Sequence, residues 1–172
     1  MGEIKSINAL NADLFQPEEV DRYGDPKEAR KKAMDYLARR EYGHQELVDK
    51  LATAGFAADI AALTVAVLRD ENLQSDQRFS ESFVQSRISQ GKGPVRIRQE
   101  LKERGIRADV VDDALTEADE DWFALAIEIR IKKFGPDVPG EFKEKARQMR
   151  FLQYRGFEQE HIQSAIRTHG EA

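Results

Sequence analysis

The sequence predicts an all-α protein built as three tandem three-helix repeats forming an elongated, curved array. Three observations predict it. The segment Leu-x-x-x-Gly followed by an apolar residue occurs three times, as Leu51 to Gly55 with Phe56, Leu101 to Gly105 with Ile106, and Leu152 to Gly156 with Phe157. The glycines stand 50 and then 51 residues apart, and a fixed period of that length marks a repeat architecture. The composition is poor in Gly and Pro, rich in Ala, Arg, Glu and Gln, and short of strand-like apolar runs, which favours helices. One unit of this size buries too little surface to be stable alone, whereas stacked neighbours supply the missing burial.

The elements follow in order. Residues 1–24 form an acidic leader without clear periodicity, read as mobile, with a short ordered piece around Leu14 and Phe15. The first repeat spans residues 25–73. Asp25 caps a helix that Pro26 opens and Glu28 supports, and the helix runs to about Arg40. Tyr42-Gly43 breaks it. A second helix from His44 places Leu47 and Leu51 on one face and ends at Gly55, where glycine permits the left-handed termination. A third helix, Ala58 to Glu71, presents Ile60, Leu63 and Val67 to the core.

The second repeat, residues 74–120, restates this order. Ser75 caps a helix carrying Phe79 and Phe83, and Gln90-Gly91-Lys92-Gly93-Pro94 turns into a helix opened by Pro94. Ile97 and Leu101 match Leu47 and Leu51, and Val110, Ala114 and Leu115 match Ile60, Thr64 and Val65. The third repeat, residues 121–172, begins with the stripe Trp122, Leu125, Ile129 and Phe134. After the break Gly135 to Gly140, a helix runs from Glu141 to Arg155 and another from Glu158 to Arg167.

Composition excludes several function classes. The absence of cysteine removes disulfides, thiolate metal sites and cysteine nucleophiles. No segment nears the ~18 consecutive apolar residues of a membrane helix, and Met1 to Leu14 reads as no signal peptide, so a cytoplasmic protein is expected. The three histidines lack metal-ligand spacing and are read as surface residues. Gln90 to Pro94 superficially resembles a phosphate-binding loop, but no Lys-Ser or Lys-Thr pair follows, so a helix-entry turn is the better reading. Asp119, Glu120 and Asp121 merely follow one another and are read as a solvated turn. No catalytic residue, metal ligand or cofactor is expected.

Charge is the informative feature. The formal net charge of −5 conceals blocks: Ser86 to Arg107 carries +5, Asp109 to Asp121 carries −7, and Arg130 to Arg155 carries +5. Such blocks suit a partner of mixed charge. The candidate binding surface, inferred from charge and expected exposure, comprises Arg87, Lys92, Arg96, Arg98, Lys102, Arg104, Arg130, Lys132, Lys133, Arg147, Arg150 and Arg155. The competing reading is ordinary solvation with pairing along a helix, such as Arg96 with Glu100.

Three stretches carry a family resemblance. Ala33 to Tyr42 with Glu46-Leu47, Lys50-Leu51 and Gly55-Phe56 resembles the opening repeat of the RecX family. Gly91 to Pro94, Ile97 to Leu101 and Arg104-Gly105-Ile106 resemble its central part. Ala146-Arg147-Gln148, Phe151-Leu152 and Tyr154 to Phe157 are similar to its last repeat. The resemblance covers Pro26 to Arg167 and leaves out the leader. It implies a small regulatory protein that binds the RecA recombinase filament on single-stranded DNA. Such a protein restrains ATPase, strand-exchange and coprotease activities, and so touches DNA repair, recombination and the SOS response. It implies no catalytic residue. A monomer with weak supplementary contact to single- or double-stranded DNA is expected. The alternative is an independent nucleic-acid-binding helical module, against which stand the acidic net charge and the scarcity of aromatics free for base stacking.

Overall fold

The computed structural model describes residues 21–170. Among them nine helices and no strand are formed: α1 (Pro26–Leu37), α2 (His44–Thr53), α3 (Ala58–Asp70), α4 (Asp76–Ser89), α5 (Pro94–Glu103), α6 (Ala108–Ala118), α7 (Trp122–Phe134), α8 (Phe142–Arg155) and α9 (Gln159–Ala165). They group as three repeats of three. Of the leader expected over residues 1–24, residues 1–20, with the ordered piece around Leu14 and Phe15, lie outside the described residues. Tyr23, at its end, packs edge-on against Phe56 with ring centroids 5.7 Å apart, and its carbonyl accepts the Ala57 amide.

The helix starts follow capping chemistry. The Lys27 amide donates to Asp25 Oδ1, the Arg78 amide to Ser75 Oγ and the Ala124 amide to Asp121 Oδ1. Pro26 and Pro94 open α1 and α5, where a missing N–H costs nothing. The middle helix of every repeat ends in the same turn. Gly55, Gly105 and Gly156 have φ of +109°, +76° and +93°. Each of their amides donates three residues back, and the next apolar residue donates to the motif leucine: Phe56 to Leu51 O, Ile106 to Leu101 O and Phe157 to Leu152 O, at 3.1–3.2 Å. This two-bond ending needs a left-handed residue, and it folds the following apolar side chain back onto the helix.

Each repeat has its own core. Leu47, Leu51, Ala61, Val65 and Leu68 fill the first, Phe79, Phe83, Val84, Ile97 and Leu101 the second, and Leu125, Leu152, Phe157 and Ile162 the third. Ile88 and Trp122 pack against both of the last two cores.

The face of α3 differs from the expected one. Leu63 is 60% and Val67 40% exposed, and Ile60 is only half-buried, while Ala61, Thr64, Val65 and Leu68 face inward. Ala29 and Ala33 of α1 and Ala61 of α3 are all fully buried. These small residues let the two helices approach closely and turn the bulkier stripe to solvent. Other departures are smaller. Helix α1 stops at Leu37 rather than Arg40, and α9 at Ala165. His161, expected at the surface, is buried: its Nδ1 accepts the Glu158 amide at 3.2 Å and its ring stands edge-on to Phe123.

Two seams join the repeats. Between the first and second, the His44 amide donates to Asp76 Oδ1 at 2.7 Å, Gln74 Nε2 donates to Tyr42 O at 3.1 Å, and Arg78 pairs with Glu41 at 2.9 Å. Between the second and third, backbone meets backbone. The Gly93 amide donates to Arg155 O and the Val95 amide to Gly156 O, each at 2.9 Å. A Cβ on Gly93 would overlap the Gly156 carbonyl, and one on Gly156 would overlap the backbone of Arg96.

Candidate partner-binding surface

The twelve cations singled out by charge divide into four kinds of environment. The first is a cluster around Glu100 on α5. Arg87 Nε lies 2.8 Å, Lys92 Nζ 3.2 Å and Arg96 Nε 3.5 Å from its carboxylate. All four side chains are at most one-third exposed. Burial disfavours the Glu100 charge, yet hydrogen bonds from Arg87 and Lys92 outweigh it and hold the carboxyl below its ordinary range. These three cations therefore tie the end of α4 and the entry turn to α5, and they present less free charge than the sequence implies.

Arg130 is the clear correction. It is fully buried rather than on the surface. Its Nη1 donates to Asp137 O at 2.9 Å and its Nη2 to Thr168 O at 2.8 Å, with longer contacts to Gly135 O and Pro136 O. The break after α7 turns the Gly135, Pro136 and Asp137 carbonyls inward, the segment after α9 adds that of Thr168, and the guanidinium fork satisfies them. Burial pulls its pKa down from the ordinary arginine value, opposed by the nearby Asp137 charge.

A third group is exposed. Arg98 pairs with Asp112, and Arg147 pairs with Glu144 at 2.9 Å. Lys102, Lys132, Lys133 and Arg150 are exposed as well. The fourth group, Arg104 and Arg155, is half-buried at the ends of α5 and α8. Arg104 Nη1 donates to Glu100 O and Arg155 Nη1 to Gln90 O, each at 2.9 Å. A carbonyl neutralises no charge, so both guanidinium groups keep theirs.

Five of the twelve, Arg87, Arg104, Lys132, Lys133 and Arg155, converge in two grooves. One, of about 250 Å³, opens between the first and second repeats and is lined by Arg40, Glu41, Glu46, Phe83, Arg87 and Arg104 among others. Arg40 there pairs with Glu46 at 2.5 Å. The other, of about 480 Å³, opens between the second and third repeats, lined by Glu120, Glu128, Lys132, Lys133, Phe151 and Arg155 among others. Burial, then the nearby Asp121 and Glu128 charges, pushes the Glu120 carboxyl up. Sequence reasoning missed Arg40, Glu46, Phe83 and Phe151 as groove residues, because each sits outside the charge blocks or on a stripe that reads as core.

The same three-part construction appears in comparison with known families. The model of the RecX second three-helix domain matches residues 75–115, that of the third domain residues 119–166 and that of the first residues 29–68. The chain belongs to the RecX family. Curated relatives named regulatory protein RecX include that of Halorhodospira halophila, 42% identical over 133 residues, covering 77% of this chain and 83% of the relative. That of Chromohalobacter salexigens is 44% identical over 135 residues, covering 78% and 88%. Among solved structures, RecX from Lactobacillus salivarius superposes with a TM-score of 0.69 at 21% identity, over 83% of this chain and 94% of that one. A second RecX crystal structure gives 0.71 at 23%, over 97% and 80%. The RecX family is a regulatory one, and its all-α tandem-repeat fold is the one described above. No helix among the described residues is long and apolar enough to cross a membrane.

Proposed function

We propose that the chain is a negative regulator of the RecA recombinase. It binds the RecA–single-stranded DNA filament and limits its ATPase, strand-exchange and coprotease activities, so regulating DNA repair, recombination and the SOS response. The observation that carries this reading is the series of three RecX three-helix domains in one chain. The mixed-charge grooves where the repeats meet support it, because they offer cations and carboxylates together, as a protein filament on DNA requires. In this reading the chain acts as a cytoplasmic monomer with repeat boundaries at 73/74 and 120/121.

The test is a titration into a preformed recombinase–single-strand–ATP filament while ATP hydrolysis is followed. Hydrolysis falls at substoichiometric protein. Unchanged hydrolysis and strand exchange at excess protein overturn the proposal.

The exposed cations Lys102 and Arg150, outside both grooves, favour a supplementary contact with DNA. An independent nucleic-acid module would instead bind naked single strands tightly, with a log–log salt slope of about −0.7 per neutralised phosphate.

A further inference from the structure

The two grooves are built from the same positions of successive repeats. Counting along α4 and α7 with an offset of 46, Phe79 corresponds to Leu125, Phe83 to Ile129 and Arg87 to Lys133, and each of these lines its groove. With an offset of 51, Arg104 corresponds to Arg155. Besides Arg40 in one and Lys132 in the other, each groove thus holds one cation from the first helix of its repeat and one arginine from the end of the second helix. Both cations lie over a single aromatic ring. Arg87 and Arg104 stand 4.1 and 4.7 Å from the Phe83 centroid, and Lys133 and Arg155 stand 5.9 and 5.3 Å from that of Phe151. The ring comes from the first helix in one groove and from the second in the other, so the charge arrangement is kept while its support changes.

The repeat motif carries the same signal. It reads Leu-x-x-Arg-Gly at Leu101 to Gly105 and at Leu152 to Gly156, but Leu-x-x-Ala-Gly at Leu51 to Gly55. In the first repeat Ala54 stands where the other two carry the arginine.

We infer that the paired grooves at the repeat junctions bind two copies of one acidic protein segment, Arg104 anchoring one copy and Arg155 the other. This rests on the proposed function, since a polymer of identical subunits is the partner that presents one element twice. The segment is an acidic peptide rather than a nucleic-acid strand. Each groove keeps two carboxylates, Glu41 and Glu46 in one, paired with Arg78 and Arg40, and Glu120 and Glu128 in the other, and these lower the net positive charge that a groove offers a phosphate backbone. The Phe83 and Phe151 rings already carry cations, so they are not bare platforms for bases.

The experiment measures binding of the full chain to preformed recombinase–single-strand–ATP filaments and, in parallel, to naked single-stranded DNA. Removing one charge-bearing anchor lowers filament affinity about tenfold, so Arg104→Ala and Arg155→Ala each do so, and the double variant loses about the product of the two. Arg104→Lys and Arg155→Lys, which keep the charge, retain most of the affinity. Arg107→Ala, outside both grooves, binds as the wild type does. Helicity and thermal midpoint are followed for every variant. Wild-type affinity in both folded alanine variants overturns the inference, as does loss confined to one groove. Equal losses on naked DNA assign the grooves to phosphate and overturn it too. A wild-type chain that ignores the filament overturns the proposed function, and this inference with it.

Discussion

Arg130 sits where the first two repeats carry Met34 and Val84, counting in register along α1, α4 and α7. An arginine at a core position is tolerated because the loop after α7 is longer than its counterparts and folds three carbonyls around the guanidinium, with a fourth, Thr168 O, supplied by the segment after α9. Arg130→Met restores the apolar residue but leaves those carbonyls without a donor. It should cost about 2 kcal/mol in urea unfolding and raise proteolytic cleavage between Gly135 and Gly140. A variant as stable as the wild type would show that water replaces the fork. Glu100 is the complementary case. Its folded pKa lies below the unfolded value of about 4.3, so its contribution is present above that value and lost as pH falls through the folded one. Glu100→Gln should destabilise by about 1–2 kcal/mol at pH 7, and the gap to wild type should narrow at pH 3.5. A gap independent of pH removes the ionic explanation. The Arg96–Glu100 pair was legible as the competing reading of helix spacing, but the arrival of Arg87 and Lys92 at Glu100 and the burial of Arg130 were not. Charge blocks report where cations lie along the chain, whereas burial of Arg130 and convergence on Glu100 depend on loop length and on contacts between helices.

The helices themselves were largely legible, because capping residues and the glycine turn act through neighbours in sequence. Asp25, Ser75, Pro26, Pro94 and the three motif glycines all do what local chemistry demands. The glycine turns nevertheless differ in tolerance. A Cβ on Gly105 would meet only Gln45 Cβ at 3.5 Å, whereas one on Gly156 would run into the Arg96 backbone. Gly105→Ala should cost about 1 kcal/mol from left-handed strain alone, and Gly156→Ala about 1–3 kcal/mol more from overpacking. Equal costs in chemical denaturation would mean that the seam yields freely. The α3 face was not legible, since its apolar residues occupy more of the circumference than one stripe, and only packing against Ala29 and Ala33 decides which stripe turns inward. Leu68→Ala should accordingly lose about 2–4 kcal/mol and Leu63→Ala under about 1 kcal/mol. The reverse order would restore the stripe expected from sequence.

At the scale of the whole molecule, stability follows from the unlike seams. A repeat array behaves as units coupled to their nearest neighbours. The second and third repeats are coupled through backbone bonds, two cores that share Ile88 and Trp122, and a cation cluster beside the seam. The first is coupled to the second by side-chain contacts to Asp76, Gln74 and Arg78. Native-state hydrogen exchange in low urea should show α1–α3 opening before α4–α9, and Asp76→Ala should widen that difference. Simultaneous opening of all nine helices would overturn this ordering. The grooves at these seams were not legible for the same reason. Their composition is spread over residues that lie far apart in sequence and meet only when one repeat is set against the next.

The backbone joint between Gly93 and Gly156 also settles what the glycine-rich entry to α5 can offer a ligand. The start of a helix ordinarily holds open amides that attract anions. Here the Gly93 and Val95 amides are already donated to the end of α8, and Pro94 between them has none to give. A phosphate or sulfate arriving at this turn meets a helix end whose positive pole has been sealed by the negative pole of another. The Gly-Lys-Gly sequence is therefore a joint between two helices that has spent the Gly93 and Val95 amides on the carbonyls ending α8.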